Sequence, residues 1–307
     1  MMKLSVGGAM GLLVFGNIVA VFSDALIKSV AQDVPVFQFV LFRQITAVLM
    51  LLPFCLKETR ETLMQGLKWH VVRAHVWLLG AIFMFFAIQH LSLATANAIF
   101  YAAPLMMLPL AFMMYREQLS RHSILAGVMG FVGVLVIIRP TDISWGALAA
   151  LVVAFALAMN NLLIRKLPTT QSVAVTLFLT NIAGIPLSTG LAVWQGGTWH
   201  WSSMMTAAGS SFCILIYAAT CVVAYRAADS NKIASAEYSG LLGAVAVGIW
   251  WFGEMPDWAM AIGATMIIMP LWWLSHVEKK RRRQEATETK ATGKATGLDN
   301  SDVPEMA

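Results

Sequence analysis

The sequence predicts an all-α integral membrane protein with ten transmembrane helices, arranged as two inverted five-helix repeats. Three observations predict it. Apolar residues make up 59% of the 307-residue chain and charged residues only 12%. A typical soluble domain is about 25% charged, so an ordinary cytosolic enzyme could not cover its surface with so few polar groups. The apolar residues fall in runs of roughly 20, the length a helix needs to cross a bilayer. The chain also aligns with itself at one constant offset, which sets Asp24 on Asn161, Tyr101 on Tyr238, Leu105 on Leu242 and Glu117 on Glu254.

Polar punctuation divides the apolar stretches into spans at 8–27, 36–56, 76–93, 96–115 and 123–138, then 145–164, 173–194, 211–228, 233–252 and 258–277. The first follows Lys3 and stays apolar to about Phe22. That is long for a signal-peptide core and no small-x-small cleavage site follows, so it reads as a retained helix. It carries Asp24 near its far end. The second carries Arg43 about two turns in. The charged stretch 57–75 reads as a connection, with room for a surface helix, before the third span. The fourth opens on Asn97 and contains Pro104 and Pro109, which remove backbone donors and should loosen the helix. Gly127, Gly130 and Gly133 in the fifth allow close helix approach. The sixth ends on Asn160 and Asn161, and the seventh holds Thr180 and Asn181. The eighth contains two of the three cysteines, Cys213 and Cys221. Glu237 and Tyr238 lie about one turn inside the ninth. After the tenth, KKRRR (Lys279–Arg283) opens a charged, then Thr/Gly/Ala-rich, tail. The expected organisation is a first repeat over 1–140, a second over 141–277, and a disordered basic cytoplasmic tail over 278–307.

Five spans per repeat is an odd number, so the second copy enters the bilayer from the opposite side. With the N-terminus inside, all the Lys and Arg residues lie on inner segments except Lys28, Arg139 and Arg43. Retained positive charge on the cytoplasmic side is the known bias. The basic 57–73 connection corresponds to WQGGTWHWSSMM (194–205), which has no Lys or Arg and three tryptophans suited to the headgroup layer. The expectation is a protein of the cytoplasmic (inner) membrane with both termini cytoplasmic.

The segment NAIFYAAPLMMLPLAFMMYREQLSRHSILAGVMGFVGVLVI (97–137) has a mid-helix proline at Pro104, a glutamate at the helix end at Glu117, and a glycine-spaced following helix. It resembles the EamA-type transporters of the drug/metabolite transporter superfamily, which are built of two inverted five-helix repeats. The second copy, SAEYSGLLGAVAVGIWWFGEMPDWAMAIGATMII, keeps Glu254 but has Leu241 in place of the proline. The resemblance runs from Gly8 to about Val277. It implies a secondary transporter of a small polar metabolite, with export favoured as the direction. SDALIKSV and VPVFQFVLFRQ near the start are also similar to members that carry adenosyl compounds or riboflavin.

A charge at mid-helix costs roughly 2.5–3.5 kcal/mol on insertion scales, so the few polar groups within spans are the candidate substrate-binding residues: Glu237, Tyr238, Arg43, Asp24, Tyr101, Asn97 and Asn161. Glu237 reads either as a proton or cation site facing a central cavity, or as a structural partner of Lys232 or Arg226. Asp24 and Arg43 lie at comparable depth. They read either as an ion pair holding the first two helices, or as a site in which Arg43 meets a substrate carboxylate and Asp24 sets its pose. Asn97, Asn161 and Asn181 read as interhelical bonds or as ligand contacts. Tyr101 and Tyr238, repeat equivalents, read as core packing or as stacking surfaces for a flat ligand. Glu117 and Glu254 are expected to cap or tie the turns that follow them and not to bind substrate.

No phosphate-cradling GxxxxGK[ST] loop occurs, so the energy source would be a proton, ion or substrate gradient. The basic tail suits an anionic leaflet and lacks the aromatic interleaving of a nucleic-acid face. No cofactor or metal is expected, since the six histidines are scattered and the three cysteines lack ligand spacing. The partners expected are the bilayer, a small polar metabolite and a coupling proton or ion, with the chain a monomer or homodimer. Two other classes stay open: a non-transporting membrane partner or sensor subunit, and an intramembrane lipid-modifying enzyme. An enzyme is not expected, because no clustered carboxylates or His/Asp constellation is present.

Overall fold

In hydrocarbon a backbone N–H or C=O has no water to bond, and an α-helix satisfies both within the segment. The computed structural model describes residues 6–30, 34–116, 121–139, 144–168, 170–227, 239–270 and 272–273, and these contain helices and no strand. Glu117, Glu237, Tyr238 and the tail at 278–307 lie outside the described residues. The helices are α1 (Val6–Lys28), α2 (Val36–Cys55), α3 (Arg60–Met64), α4 (Leu67–His90), α5 (Leu93–Phe100), α6 (Ala103–Tyr115), α7 (Arg121–Ile138), α8 (Trp145–Ile164), α9 (Val173–Gln195), α10 (Ser203–Ala227), α11 (Ser239–Phe252) and α12 (Trp258–Pro270).

Seven segments are long and apolar enough to cross a membrane: Gly7–Lys28, Val36–Cys55, Leu67–His90, Leu93–Tyr115, Trp145–Ile164, Val173–Gln195 and Ser203–Cys221. Ile124–Ile138, Ser239–Phe252 and Trp258–Pro270 are shorter apolar helices at the positions of the other three expected spans. Ten full-length spans are therefore not seen among the described residues.

Two spans begin earlier than expected. The third starts at Leu67, directly after Gly66 (φ 69°), and the eighth starts at Ser203. These starts are equivalent in the two repeats. In the first, Lys68, His70 and Arg73 made helix look like loop. In the second, the serines and small residues of SMMTAAGS did. His70 is fully buried and Arg73 nearly so, because both point inward at polar partners.

The fourth span breaks at Tyr101–Ala102 into α5 and α6. Pro104 has no N–H to give the carbonyl of Phe100, and its ring crowds that turn. The chain instead tightens through Ala102 N to Ile99 O at 2.9 Å and restarts with Pro104 in the first turn of α6. The ends of α6 and α11 match. Arg116 (φ 53°) and Gly253 (φ 64°), equivalent in the repeats, are both left-handed. Their amides bond Phe112 O and Ile249 O at 2.9 and 3.1 Å, and Glu254 N reaches Gly248 O at 2.9 Å. This closes the last turn of α11 in the way left-handed helix caps do.

The helix neighbours come in matched pairs. α1 packs on α10 as α8 packs on α4; α10 packs on α2 as α4 packs on α9; α1 packs on α11 as α8 packs on α6. α2 and α9, themselves equivalent, pack on each other, as do α5 and α11. Gly133 of α7 and Gly263 of α12 also meet, since a Cβ at Gly133 would lie 2.7 Å from Gly263 O. The expected role of Gly133 as a close-approach residue is met there.

Candidate functional site

Along α1, Asn17, Val21, Asp24 and Lys28 recur at helical spacing and face α5 and α11. Asn17 and Asp24 are buried, at 3% and 6% exposure. Asn97 of α5 donates from Nδ2 to Asp24 Oδ2 at 3.2 Å and to Leu93 O at 3.1 Å. Tyr101, one turn on, is at the break of the fourth span. Gly240 opens α11 against it: a methyl there would collide with the Tyr101 phenol oxygen and crowd Asn17 Cβ at 3.3 Å. Gly243, one turn further, lies against Val21. Asp24, Asn97 and Tyr101 are thus brought onto one face.

Arg43 occupies the adjoining face, on α2, and is 2% exposed. It does not form the ion pair with Asp24 that comparable depth suggested. The ion pairs within 4.0 Å among the described residues are Lys28–Glu254 and Arg139–Asp257. Asp24 and Arg43 attract through space only, because Asn97 holds the carboxylate toward α5. The Arg43 guanidinium instead lies 5.8 Å from the ring centroid of Trp77 on α4, within cation–π range. Ser211 of α10 donates to Arg43 O at 2.7 Å, and Thr46 donates to Ser211 Oγ at 3.1 Å. Ser23, beside Asp24, bonds Ser210 at 2.8 Å, so one polar seam joins the two faces. A cavity of about 30 Å3 lies between Arg43, Trp77, Asn181 and Ser211, closed by apolar residues of α9 and α10.

Asn161 does not join this cluster. It is exposed, and its Nδ2 reaches Met107 Sδ at 4.0 Å. Its neighbour Asn160 points inward and donates to Ala156 O at 3.1 Å. Asn181 lines the cavity while donating to Leu177 O at 2.9 Å.

Glu254 does not tie the turn after it. Its Oε1 meets Lys28 Nζ at 2.8 Å and its Oε2 accepts from Leu93 N at 2.7 Å. It therefore caps α5 from the other half of the chain. Lys28 also donates to Leu91 O at 2.6 Å and Ile88 O at 3.1 Å. The result is a knot that joins α1, the α4–α5 junction and the end of α11 at one edge of the bundle.

Residues 8–139 match the EamA-like transporter family. The chain is 23% identical over 263 residues to the S-adenosylmethionine uptake transporter of Rickettsia prowazekii (strain Madrid E), covering 84% of this chain and 89% of that protein. It is 24% identical over 278 residues to the riboflavin transporter of Vibrio cholerae serotype O1, covering 85% and 92%. A solved crystal structure, 17% identical, superposes with a TM-score of 0.60 over 87% of this chain and 96% of that chain. The chain is thus similar to the EamA-like transporters over 8–139 and to named metabolite transporters over most of its length.

The polar groups described above form one seam through the bundle. Arg73, Trp77 and Ser211 belong to that seam and were not singled out from sequence. Arg73 sat in a stretch read as a charged connection. Trp77 and Ser211 are unremarkable in an apolar run, and only the packing of α4 and α10 on α2 gives them a role. A larger hollow, about 390 Å3, lies elsewhere. It is lined mostly by apolar residues such as Phe37, Phe83, Phe86 and Trp145, with Gln195 the polar side chain among them.

Proposed function

We propose that the chain is a secondary transporter that moves a small polar metabolite across the cytoplasmic membrane by alternating access. In this reading ten helices form two inverted five-helix repeats, 1–140 and 141–277. Both termini and the 278–307 tail are cytoplasmic, and the repeats rock about a central polar seam. The observation that carries the reading is that seam. Asp24, Asn97 and Arg43 are buried in a mostly apolar bundle, beside a helix broken at Tyr101. Broken helices at mid-bundle are where such carriers hold their solutes. The matched helix pairings support the inverted repeat, since an exchange of halves carries α1–α10 onto α8–α4, α10–α2 onto α4–α9 and α1–α11 onto α8–α6. Glu237 and Tyr238, which precede α11 in sequence, are further candidates for the site, with Glu237 the candidate for a coupling proton or cation. Asn161 is a peripheral member at most, given its exposure.

The names of two groups of relatives make adenosyl compounds and riboflavin the first solutes to test. Their names also bear on direction: the Rickettsia relatives are uptake transporters, whereas the family resemblance favours export. Flux into and out of proteoliposomes holding the purified chain, with labelled S-adenosylmethionine and labelled riboflavin, tests both points. Saturable flux of one compound, lost in Arg43→Gln, supports the reading, and its sign gives the direction. No flux of any polar solute under any imposed gradient overturns it.

A further inference from the structure

Cations gather round two aromatic rings where α4 starts and where α6 and α8 end. Trp69 lies in the first turn of α4, just after Gly66, where a Cβ would lie 2.8 Å from Pro168 Cδ. Tyr115 is the last residue of α6, and its hydroxyl donates to Leu162 O of α8 at 2.8 Å. The Lys166 ammonium lies 5.7 Å from the Trp69 ring centroid and 5.0 Å from that of Tyr115. Lys68 Nζ is 5.1 Å from the Trp69 ring, and the Arg165 guanidinium is 5.3 Å from the Tyr115 ring. All four distances are within cation–π range. Lys68, Arg165 and Lys166 are exposed. Neither lysine meets a carboxylate within 4.0 Å among the described residues. Like charges gathered round two rings repel one another, so an anion placed among them lowers the energy of the cluster.

The fold does not require this cluster. Under the constant offset, Lys68, Trp69, Tyr115, Arg165 and Lys166 correspond to Met205, Thr206, Phe252, Lys28 and Ser29. A single cation and a single ring remain at those positions, and the cation, Lys28, is bonded to Glu254 at 2.8 Å. Below the cations the surface turns apolar. Val72 follows Lys68 by four residues, on the same face of α4. Phe112 precedes Tyr115 by three on α6, and Ile164 stands beside Arg165 on α8. All three are exposed. A soluble anion has no use for such a wall, whereas a phospholipid offers a phosphate to the cations and chains to the wall. Tryptophan and tyrosine rings are enriched at the level of the headgroups, and lysine stems run along apolar surface to reach it.

We propose that Lys68, Arg165 and Lys166, with the rings of Trp69 and Tyr115, form a site for the headgroup of an anionic phospholipid. Its chains lie along Val72, Phe112 and Ile164. Basic pockets between transmembrane helices take anionic headgroups in this way. α4 and α6 belong to the first half of the chain and α8 to the second, and α8 packs on both. The lipid therefore bridges the two halves. The bridge lies at the edge that the proposed topology places on the cytoplasmic side, where the leaflet is negative. The site rests on that topology and is independent of which solute the chain carries.

The test uses the full chain, purified in detergent and stripped of lipid. Thermal unfolding is followed as dioleoyl phosphatidylglycerol or dioleoyl phosphatidylcholine is added. A ligand of the folded state raises stability by mass action. Phosphatidylglycerol should stabilise the native chain saturably, at concentrations at least fivefold below those at which phosphatidylcholine acts. Lys68→Gln/Lys166→Gln should weaken that preference at least fivefold, and Lys68→Arg/Lys166→Arg should keep it. Lys279→Gln/Lys280→Gln, which takes the same charge from the tail, should keep it too. Glycerol 3-phosphate at matched ionic strength should not reproduce the shift. Phosphatidylglycerol acting no better than phosphatidylcholine on the native chain overturns the proposal without recourse to any variant. Equal loss in the tail variant overturns it in favour of diffuse attraction to net charge. A full shift with glycerol 3-phosphate overturns it in favour of a soluble phosphate. Binding is read without any flux, so failure here leaves the transport reading to its own assay.

Discussion

At the scale of single residues, a charge or amide inside an apolar bundle persists only where something answers it. Asp24 is answered by Asn97, Arg43 by the face of Trp77, and Arg73 by Thr180. Asp24→Asn and Arg43→Gln are each predicted to lower kcat/KM for transport at least tenfold, a loss of about 1.4 kcal/mol or more, while the folded yield persists. Measured flux at wild-type level in both would remove these residues from the solute path. Gly240→Ala places a methyl where the Tyr101 phenol sits. Overpacking of this kind costs about 1–3 kcal/mol, so thermal unfolding should shift down, and Tyr101→Phe in the same chain should restore part of the loss. Asp24, Asn97 and Arg43 were legible in the sequence because polar residues stand out in apolar spans. Arg73 was not, because it closes a stretch rich in charged and polar residues that looks like a loop, and only its burial against α9 reveals it.

Helix four and the Lys28–Glu254 knot are the informative elements. Pro104 predicts a break, and the break is present at Tyr101–Ala102. Pro104→Ala returns the missing N–H and should straighten the span. Thermal stability should hold or rise while the transport rate falls several-fold; an unchanged rate would mean that the break is incidental. The knot is partly buried, with its two side chains 14% and 20% exposed. Glu254→Gln should cost about 1–3 kcal/mol of stability, as expected for a hydrogen bond to a charged group. Arg139–Asp257 is half exposed on both sides, so Arg139→Gln should cost about 0–1 kcal/mol. Comparing the two melting curves checks the ranking. The role of Glu254 was only half legible. Its place at a helix end was readable, but its partners lie on α1 and at the start of α5, far away in sequence.

The whole molecule shows an order that no single helix does. Several of the larger helix pairings match under the sequence offset, and Arg116 and Gly253, one offset apart, end their helices with the same left-handed turn. The constant offset in the sequence foretold this, although few identities mark it, because packing preserves shape and polarity more strictly than residue type. The starts of the third and eighth spans were misjudged together, at equivalent positions, since a helix rooted in polar contacts at the bundle edge carries little hydropathy there. The central claim is that the polar seam around Arg43 is the path of the solute. The most direct test is counterflow of labelled adenosyl and flavin compounds in proteoliposomes, with the native chain and Arg43→Gln side by side at matched protein density. The account predicts saturable exchange of one compound by the native chain and its loss in the variant. Equal exchange by both proteins would contradict it.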